Sequence, residues 1–219
     1  MPHGKQKLFL QGAEMKLYMA PLEGITTFPY RNAFNSVFGA DVDKYFAPFI
    51  VPHIKRDMYR KEERDLLPEN NKGLKLIPQV LTDKGEDLLR YEQIMHDLGY
   101  PEININIGCP SGTVSSKGRG AGFLGRKEEL DAFLEKVYSK NTGPVSIKTR
   151  TGIDDNEEFY EILEIYNKYP VSELIVHPRT LKQYYRGAAD RETFLYALEH
   201  SVNPVVYNGD IFGTEDFEE

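Results

Sequence analysis

The stretch EININIGCPSGTVSSKGRGAGFLG, Glu102 to Gly125, joins a short apolar, β-rich run to a glycine-rich turn and holds the only cysteine of the 219-residue chain. Similar runs recur on both sides: KLYMA at Lys16–Ala20, KYFAPFI at Lys44–Ile50, LIPQVL at Leu76–Leu81, VSIK at Val145–Lys148, ELIVH at Glu173–His177 and PVVYN at Pro204–Asn208. Seven strands are expected. Between them Phe28–Phe38, Lys84–Leu98, Glu128–Lys140, Glu157–Tyr169 and Glu192–His200 place apolar residues three or four apart, the spacing of amphipathic helices. Only Val51–Lys75 is charged and irregular, and it reads as a long loop.

Strict alternation of near-continuous apolar strands with helices means a parallel sheet covered by helices. Polar residues stand repeatedly at the C-terminal ends of the strands (Gln79, Asn106, Lys148, His177 and Asn208), where an α/β (β/α)8 TIM barrel keeps its active site. No GxGxxG follows the first strand, which argues against a dinucleotide-binding doubly wound sheet. The barrel is expected to be incomplete. Thr214 stands as the N-cap of a seventh helix, yet the sequence stops at Glu219, before any eighth strand, so the first and seventh strands would be open edges. The chain therefore reads as C-terminally truncated, with residues 15–219 as the catalytic barrel domain and residues 1–14 as a leader or arm outside it.

The composition, 40% hydrophobic and 28% charged, is that of a soluble globular chain, and the length suits one large domain. No apolar run approaches the ~18 residues of a membrane span and no secretory signal opens the sequence, so a cytoplasmic location without a membrane partner is expected. A lone cysteine makes neither an intrachain disulfide nor, by itself, a thiolate zinc site, which leaves packing or reactivity for Cys109 and no expected metal. The net charge of −7 gives no general attraction to nucleic acid, although a local basic cleft can still bind a polyanion.

Five segments, MAPLEGITTFPYR (Met19–Arg31), NIGCPSGTVSSKGRGAGFL (Asn106–Leu124), VSIKTRTG (Val145–Gly152), VHPRTLKQYYRGAAD (Val176–Asp190) and VVYNGDIFGTED (Val205–Asp216), resemble in order and approximate spacing those of the tRNA-dihydrouridine synthase family. The resemblance implies a barrel domain followed by a helical domain. It also implies FMN and NADPH or NADH as cofactors, and reduction of the carbon 5–carbon 6 bond of specific uridines in tRNA. Hydride would reach carbon 6 from the reduced flavin and Cys109, in the GCP motif, would protonate carbon 5. A thiol suits that task, because a donor of pKa near ~8.5 is mostly protonated at neutral pH yet acidic enough to release its proton. Its pKa should therefore not be depressed, unlike that of a cysteine nucleophile.

By the same resemblance Pro21, Leu22 and Glu23 lie along the flavin ring, Gln79 bonds its polar edge and Lys148 faces the nitrogen 1 side. Asn208, Gly209 and Asp210 reach the ribityl and phosphate region, and His177 points into the group. Taken singly, Gln79 and Asn208 serve equally well as caps of buried backbone, and His177 as a structural hydrogen-bonding residue. A family glycine–arginine pair after the eighth strand has no counterpart here, so weak or absent FMN binding is expected. For the tRNA, Asn106 and the cations Lys117, Arg119, Arg150, Arg179, Lys182 and Arg186, which fall on loops after strands, are the candidate contacts around a flipped base. Pro178, where the family often has glycine, and the pair Tyr184–Tyr185, where one aromatic is usual, depart from the pattern.

Three other readings stay open. A dihydroorotate dehydrogenase also places a cysteine or serine in a CP setting, but commonly has asparagine where Ser111 stands. An aldolase would use Lys148 as a Schiff-base amine of lowered pKa and leave Cys109 without a task. A catalytically incomplete RNA-binding barrel would keep the fold without turnover.

Overall fold

The computed structural model describes residues 15–54, 56–213 and 216. Its parallel strands are β1 (Tyr18–Met19), β2 (Lys44–Phe46), β3 (Leu76–Ile77), β4 (Gln79–Val80), β5 (Ile103–Ile107), β6 (Val145–Arg150), β7 (Leu174–His177) and β8 (Val205–Tyr207). The helices are α1 (Phe28–Phe38), α2 (Arg60–Leu66), α3 (Gly85–Asp97), α4 (Gly112–Ser115), α5 (Lys127–Tyr138), α6 (Glu158–Tyr166) and α7 (Arg191–His200).

The expected third strand is divided at Pro78, which has no N–H to give to a ladder. β3 closes a three-stranded sheet β1-β2-β3, and β4 opens a five-stranded sheet in sequence order to β8. The run still bridges the two. Ile77 accepts from the Ala47 N–H on one side, and Pro78 accepts from the Asn104 N–H on the other, at 3.0 and 2.9 Å. Seven strand runs thus follow one another in chain order around a curved wall. Among the described residues no ladder joins β1 to β8.

Register and the two-residue period of a strand sort side chains to the two faces. Ile103, Ile105 and Ile107 of β5, Val145 and Ile147 of β6, and Leu174 and Val176 of β7 share one core with Leu88, Leu130, Phe133 and Ile162 of the covering helices. Each fully buried isoleucine contributes roughly 1.5–3 kcal/mol of transfer free energy. The opposite face is the barrel interior, where Phe46, Ile77 and Ile175 form a second, smaller cluster with Tyr18 and Val206. Above it the pairings Gln79↔Asn104, Asn106↔Lys148 and Arg150↔His177 bring polar residues side by side.

At the N-terminal ends of the strands the interior is closed by charge. Lys44 Nζ donates to Glu102 and Glu173 at 3.0 and 2.8 Å, and Tyr18 Oη donates to Glu173 at 2.7 Å, linking β1 and β2 to the start of β7.

Two expectations are corrected. The stretch read as a loop, Val51–Lys75, contains α2 and a short 3-10 turn, Pro68–Asn70. The helix forms because Glu62 accepts the Tyr59 N–H at its start, and because Asp65 and Asn71 are drawn into bonds with Arg31 of α1. Arg150 is the last residue of β6 instead of a loop residue, since the Arg150↔His177 pairing extends that strand beyond Lys148. Thr214 and residues 1–14 lie outside the described residues.

Candidate functional site

The glycine-rich turn begins with Asn106. Its side-chain Oδ1 accepts the Gly108 and Cys109 N–H groups at 3.0 and 2.9 Å, so the chain leaving β5 is bent over the strand end. The Asn106 amide donates to Gln79 Oε1 at 2.7 Å, Gln79 donates to Asn104 at 2.7 Å, and Asn104 donates to Ser146 Oγ at 2.9 Å. This buried chain of amides crosses three strands beneath the cysteine. Further on, Gly120 has φ +53° and approaches the Cys109 carbonyl so closely that an added Cβ would lie 2.7 Å from it. The Ala121 N–H donates to that same carbonyl.

A cleft of about 310 Å³ opens at this end of the barrel, lined by Pro21, Leu22, Glu23, Gln79, Asn106, Cys109, Lys148, Arg150 and His177 together with Pro48, Phe49, Tyr184 and Tyr185. Nine of the sequence-predicted residues therefore meet in one place. Asn208, Gly209 and Asp210 are not part of the lining. The Asn208 N–H continues the ladder to Val176, Gly209 packs on the Tyr207 ring, and Asp210 forms an ion pair with Arg179.

The predicted cations divide by environment. Arg150 donates to the Gly108 and Thr180 carbonyls at 2.9 Å each and lies under the Tyr185 ring. Arg179 is buried and donates to Asp210 and the Gly187 carbonyl. Arg119 shares Asp83 with Arg126, which pins the glycine-rich loop. Lys182 pairs with Asp154. Lys117 and Arg186 are exposed.

Charge in the cleft follows from burial. Desolvation above all raises the Cys109 thiol, a bond involving the Ser111 backbone opposes this, and Glu23 adds to the rise. The thiol is protonated at neutral pH. Desolvation, then the Arg150 charge, lower the Lys148 ammonium to about 8, and no carboxylate pairs with it among the described residues. Desolvation, followed by repulsion from Lys148, Arg150 and Arg179, lowers His177 to about 3, so its imidazole is neutral at pH 7.

These features fit the ring of a flavin. An unpaired cation and a neutral imidazole face an apolar wall of Pro21, Leu22, Pro48 and Phe49, an arrangement that suits a flat, electron-rich group. The predicted phosphate end is the weaker half of the fit, because Asn208, Gly209 and Asp210 lie outside the lining and Asp210 is committed to Arg179.

A family model described as dihydrouridine synthase matches residues 18–219. The chain belongs to the dihydrouridine synthase family. Among curated relatives of this chain are tRNA-dihydrouridine synthase B of Pasteurella multocida, 28% identical over 91% of this chain and 59% of that protein, and a probable tRNA-dihydrouridine synthase of Rhodobacter capsulatus, 30% identical over 88% and 59%. The chain spans about 60% of the length of the curated relatives it matches. A truncated 3-deoxy-D-arabino-heptulosonate 7-phosphate synthase of Thermotoga maritima superposes with a TM-score of 0.52 at 17% identity, covering 88% of this chain and 63% of that one. That likeness is one of fold, and it agrees with a (β/α)8 barrel that is not closed.

The sequence reading passed over Phe49, which lines the cleft, and Asn104, which is buried beneath it. Phe49 belongs to the apolar run after β2, whose length beyond the strand was the available signal. Asn104 carried a signal too, a polar residue inside an otherwise apolar strand, but its partners come from β4 and β6 and are invisible to local pattern. Among the described residues no group of His, Cys, Asp or Glu is arranged to hold a metal, and no helix is long and apolar enough to cross a membrane.

Proposed function

We propose that this chain carries the catalytic centre of a flavin-dependent enzyme that reduces uridines in tRNA to 5,6-dihydrouridine, with NADPH or NADH as the source of electrons. The observation that carries the reading is that a protonated thiol, Cys109, and an unpaired ammonium, Lys148, line one cleft in a member of this family.

FMN bound in the cleft would supply hydride chemistry for carbon 6 of the uracil. Pro21, Leu22 and Glu23 would hold its ring, and Lys148, which has no carboxylate partner among the described residues, would offset the negative charge that it gains on reduction. Cys109 gives its proton to carbon 5, where charge develops in conjugation with the uracil carbonyl. Asn106 fixes the turn from which the thiol projects, so proximity is set before substrate arrives. His177, uncharged, adds no competing cation beside Lys148. Tyr184 and Tyr185 stand exposed at the mouth and restrict water once a flipped base is seated.

The test is dihydrouridine formation in unmodified tRNA by the wild-type chain and by Cys109→Ala. Loss of ~10²–10⁴ in rate is expected of a removed general acid. A change within about threefold, far below that range, would remove Cys109 from the mechanism.

One observation favours a second reading. The lowered Lys148 ammonium is what an amine nucleophile of aldolase type requires, and borohydride trapping with a carbonyl substrate separates the two. A trapped adduct at Lys148 selects the aldolase.

A further inference from the structure

Outside the cleft, cationic side chains cluster on the segment between β2 and α2 and on α2 itself. Arg60, Lys61 and Arg64 line a shallow depression of about 570 Å³, shared with Glu63 and Leu67. None of the three cations forms an ion pair among the described residues, whereas Lys127 and Lys136 of α5 and Lys168, in the turn after α6, are each paired with a carboxylate. The segment carries four carboxylates as well, but Asp57 pairs with Arg90, Asp65 with Arg31, and Glu62 accepts the Tyr59 N–H. Arg60, Lys61 and Arg64 therefore share the depression with Glu63 as its one carboxylate, a local cationic surplus in a chain of net charge −7.

The segment is held in shape. Arg90 donates to the His53 carbonyl at 2.8 Å, and Tyr91 Oη donates to the Asp57 carbonyl. Arg56 lies 4.7 Å above the exposed Tyr59 ring and Arg64 5.8 Å above the Phe28 ring, so the guanidinium groups are partly ordered before any ligand arrives.

The patch is also tied to a loop that helps to line the cleft. Phe28 follows the cleft residue Glu23 by five positions, which even a fully extended chain spans in at most ~18 Å. Asp65 of α2 accepts the Phe28 N–H at 2.5 Å, tying α2 to that loop.

We propose that Arg56, Arg60, Lys61 and Arg64 form a binding surface for the phosphate backbone of an RNA strand, several nucleotides away from the base that enters the cleft. The proposal rests on the uridine-reducing reading and names the part of the chain that receives the flanking strand. Arginine with an exposed tyrosine suits RNA, since the cations meet phosphates while Tyr59 offers a face for an unstacked base.

The test compares tRNA binding by the 219-residue chain, by the triple variant R60A/K61A/R64A and by the charge-matched control K127A/K136A/K168A, each over a range of salt. For the patch variant, affinity should fall roughly tenfold or more at 0.1 M salt and the slope of log K against log salt should shrink by about 2 to 3. The control should stay within about twofold of wild type, since its charges lie outside the proposed surface. Circular dichroism checks that both variants fold, and R60K/R64K, which keeps the charge, should retain most of the binding. Equal losses in patch variant and control, or no loss in either, overturn the surface and leave the proposed catalytic function standing. A wild-type chain with no affinity for tRNA overturns both. Binding to vesicles of anionic lipid that depends on the three cations, without tRNA binding, overturns the RNA assignment in favour of a membrane surface.

Discussion

A single oxygen of Asn106 receives two backbone N–H groups, those of Gly108 and Cys109, while the nitrogen of the same amide is committed to Gln79. The position of the thiol is thus set by a side chain three residues earlier, which is itself anchored to another strand. Asn106→Ala leaves two donors and the Gln79 oxygen without partners in a buried site. The variant should lose about 2–4 kcal/mol of stability in urea unfolding. Asn106→Asp keeps an acceptor for the two N–H groups but turns a carboxylate toward the Gln79 oxygen, so it should recover only part of the loss.

Gly120 approaches the same turn from the other side, with a left-handed backbone and no room beside the Cys109 carbonyl. Gly120→Ala combines backbone strain with that clash, and about 1–3 kcal/mol of destabilisation is expected. Reactivity of the thiol toward iodoacetamide should change as well, because the carbonyl that would have to move belongs to Cys109. An unaltered melting temperature and alkylation rate would contradict the geometry.

The thiol itself should be slow to ionise. With its pKa raised by burial, the alkylation rate of Cys109 in the folded protein should reach half its maximum at a pH above the ~8.5 of free cysteine. A midpoint below that of free cysteine would mean a thiolate nucleophile in place of a proton donor.

His177 gives stability a pH dependence of predictable sign. Its folded pKa of about 3 lies below the ordinary 6.5, so between these values the unfolded chain binds a proton that the folded chain refuses. Stability should therefore rise with pH through this window and be lost on acidification, with His177 supplying at most about 1.4 kcal/mol per pH unit. His177→Asn should flatten the urea-midpoint curve between pH 3 and 6.5 and leave the curve above pH 7 unchanged in shape.

Away from the cleft, Arg31 is fully buried and donates to Asp65, Asn71 and the Thr26 and Asp65 carbonyls. Arg31→Met strands a buried carboxylate, and a cost of about 3–5 kcal/mol is expected. Asp65→Asn in the same background should recover part of it, since the uncompensated charge disappears.

Much of the fold could be read from one-dimensional pattern. The β5 run with its alternating isoleucines, the helices between strands and the GCP turn are local features, because burial on one face leaves a period of two or of 3.6 in the chain. α2 escaped that reading. Arg60–Leu66 has almost no apolar face and is held by Glu62 at its start and by Arg31 across its end, neither of which leaves a periodic trace. The break at Pro78 was visible as a residue, but its effect on pairing depended on which neighbours the run found.

What the chain alone determined is the order of strands and helices, the place of Cys109 at a strand end, and the family to which those segments bear resemblance. Tertiary structure decided which polar side chains face the cleft and which are spent on one another. Among the described residues Lys148 emerges with no carboxylate partner, Arg179 is neutralised by Asp210 from 31 residues away, and Gln79 is bonded between Asn104 and Asn106. The reason is that a hydrogen bond or ion pair is satisfied by whichever group lies within about 3 Å, and only the register of separate strands brings such distant groups together.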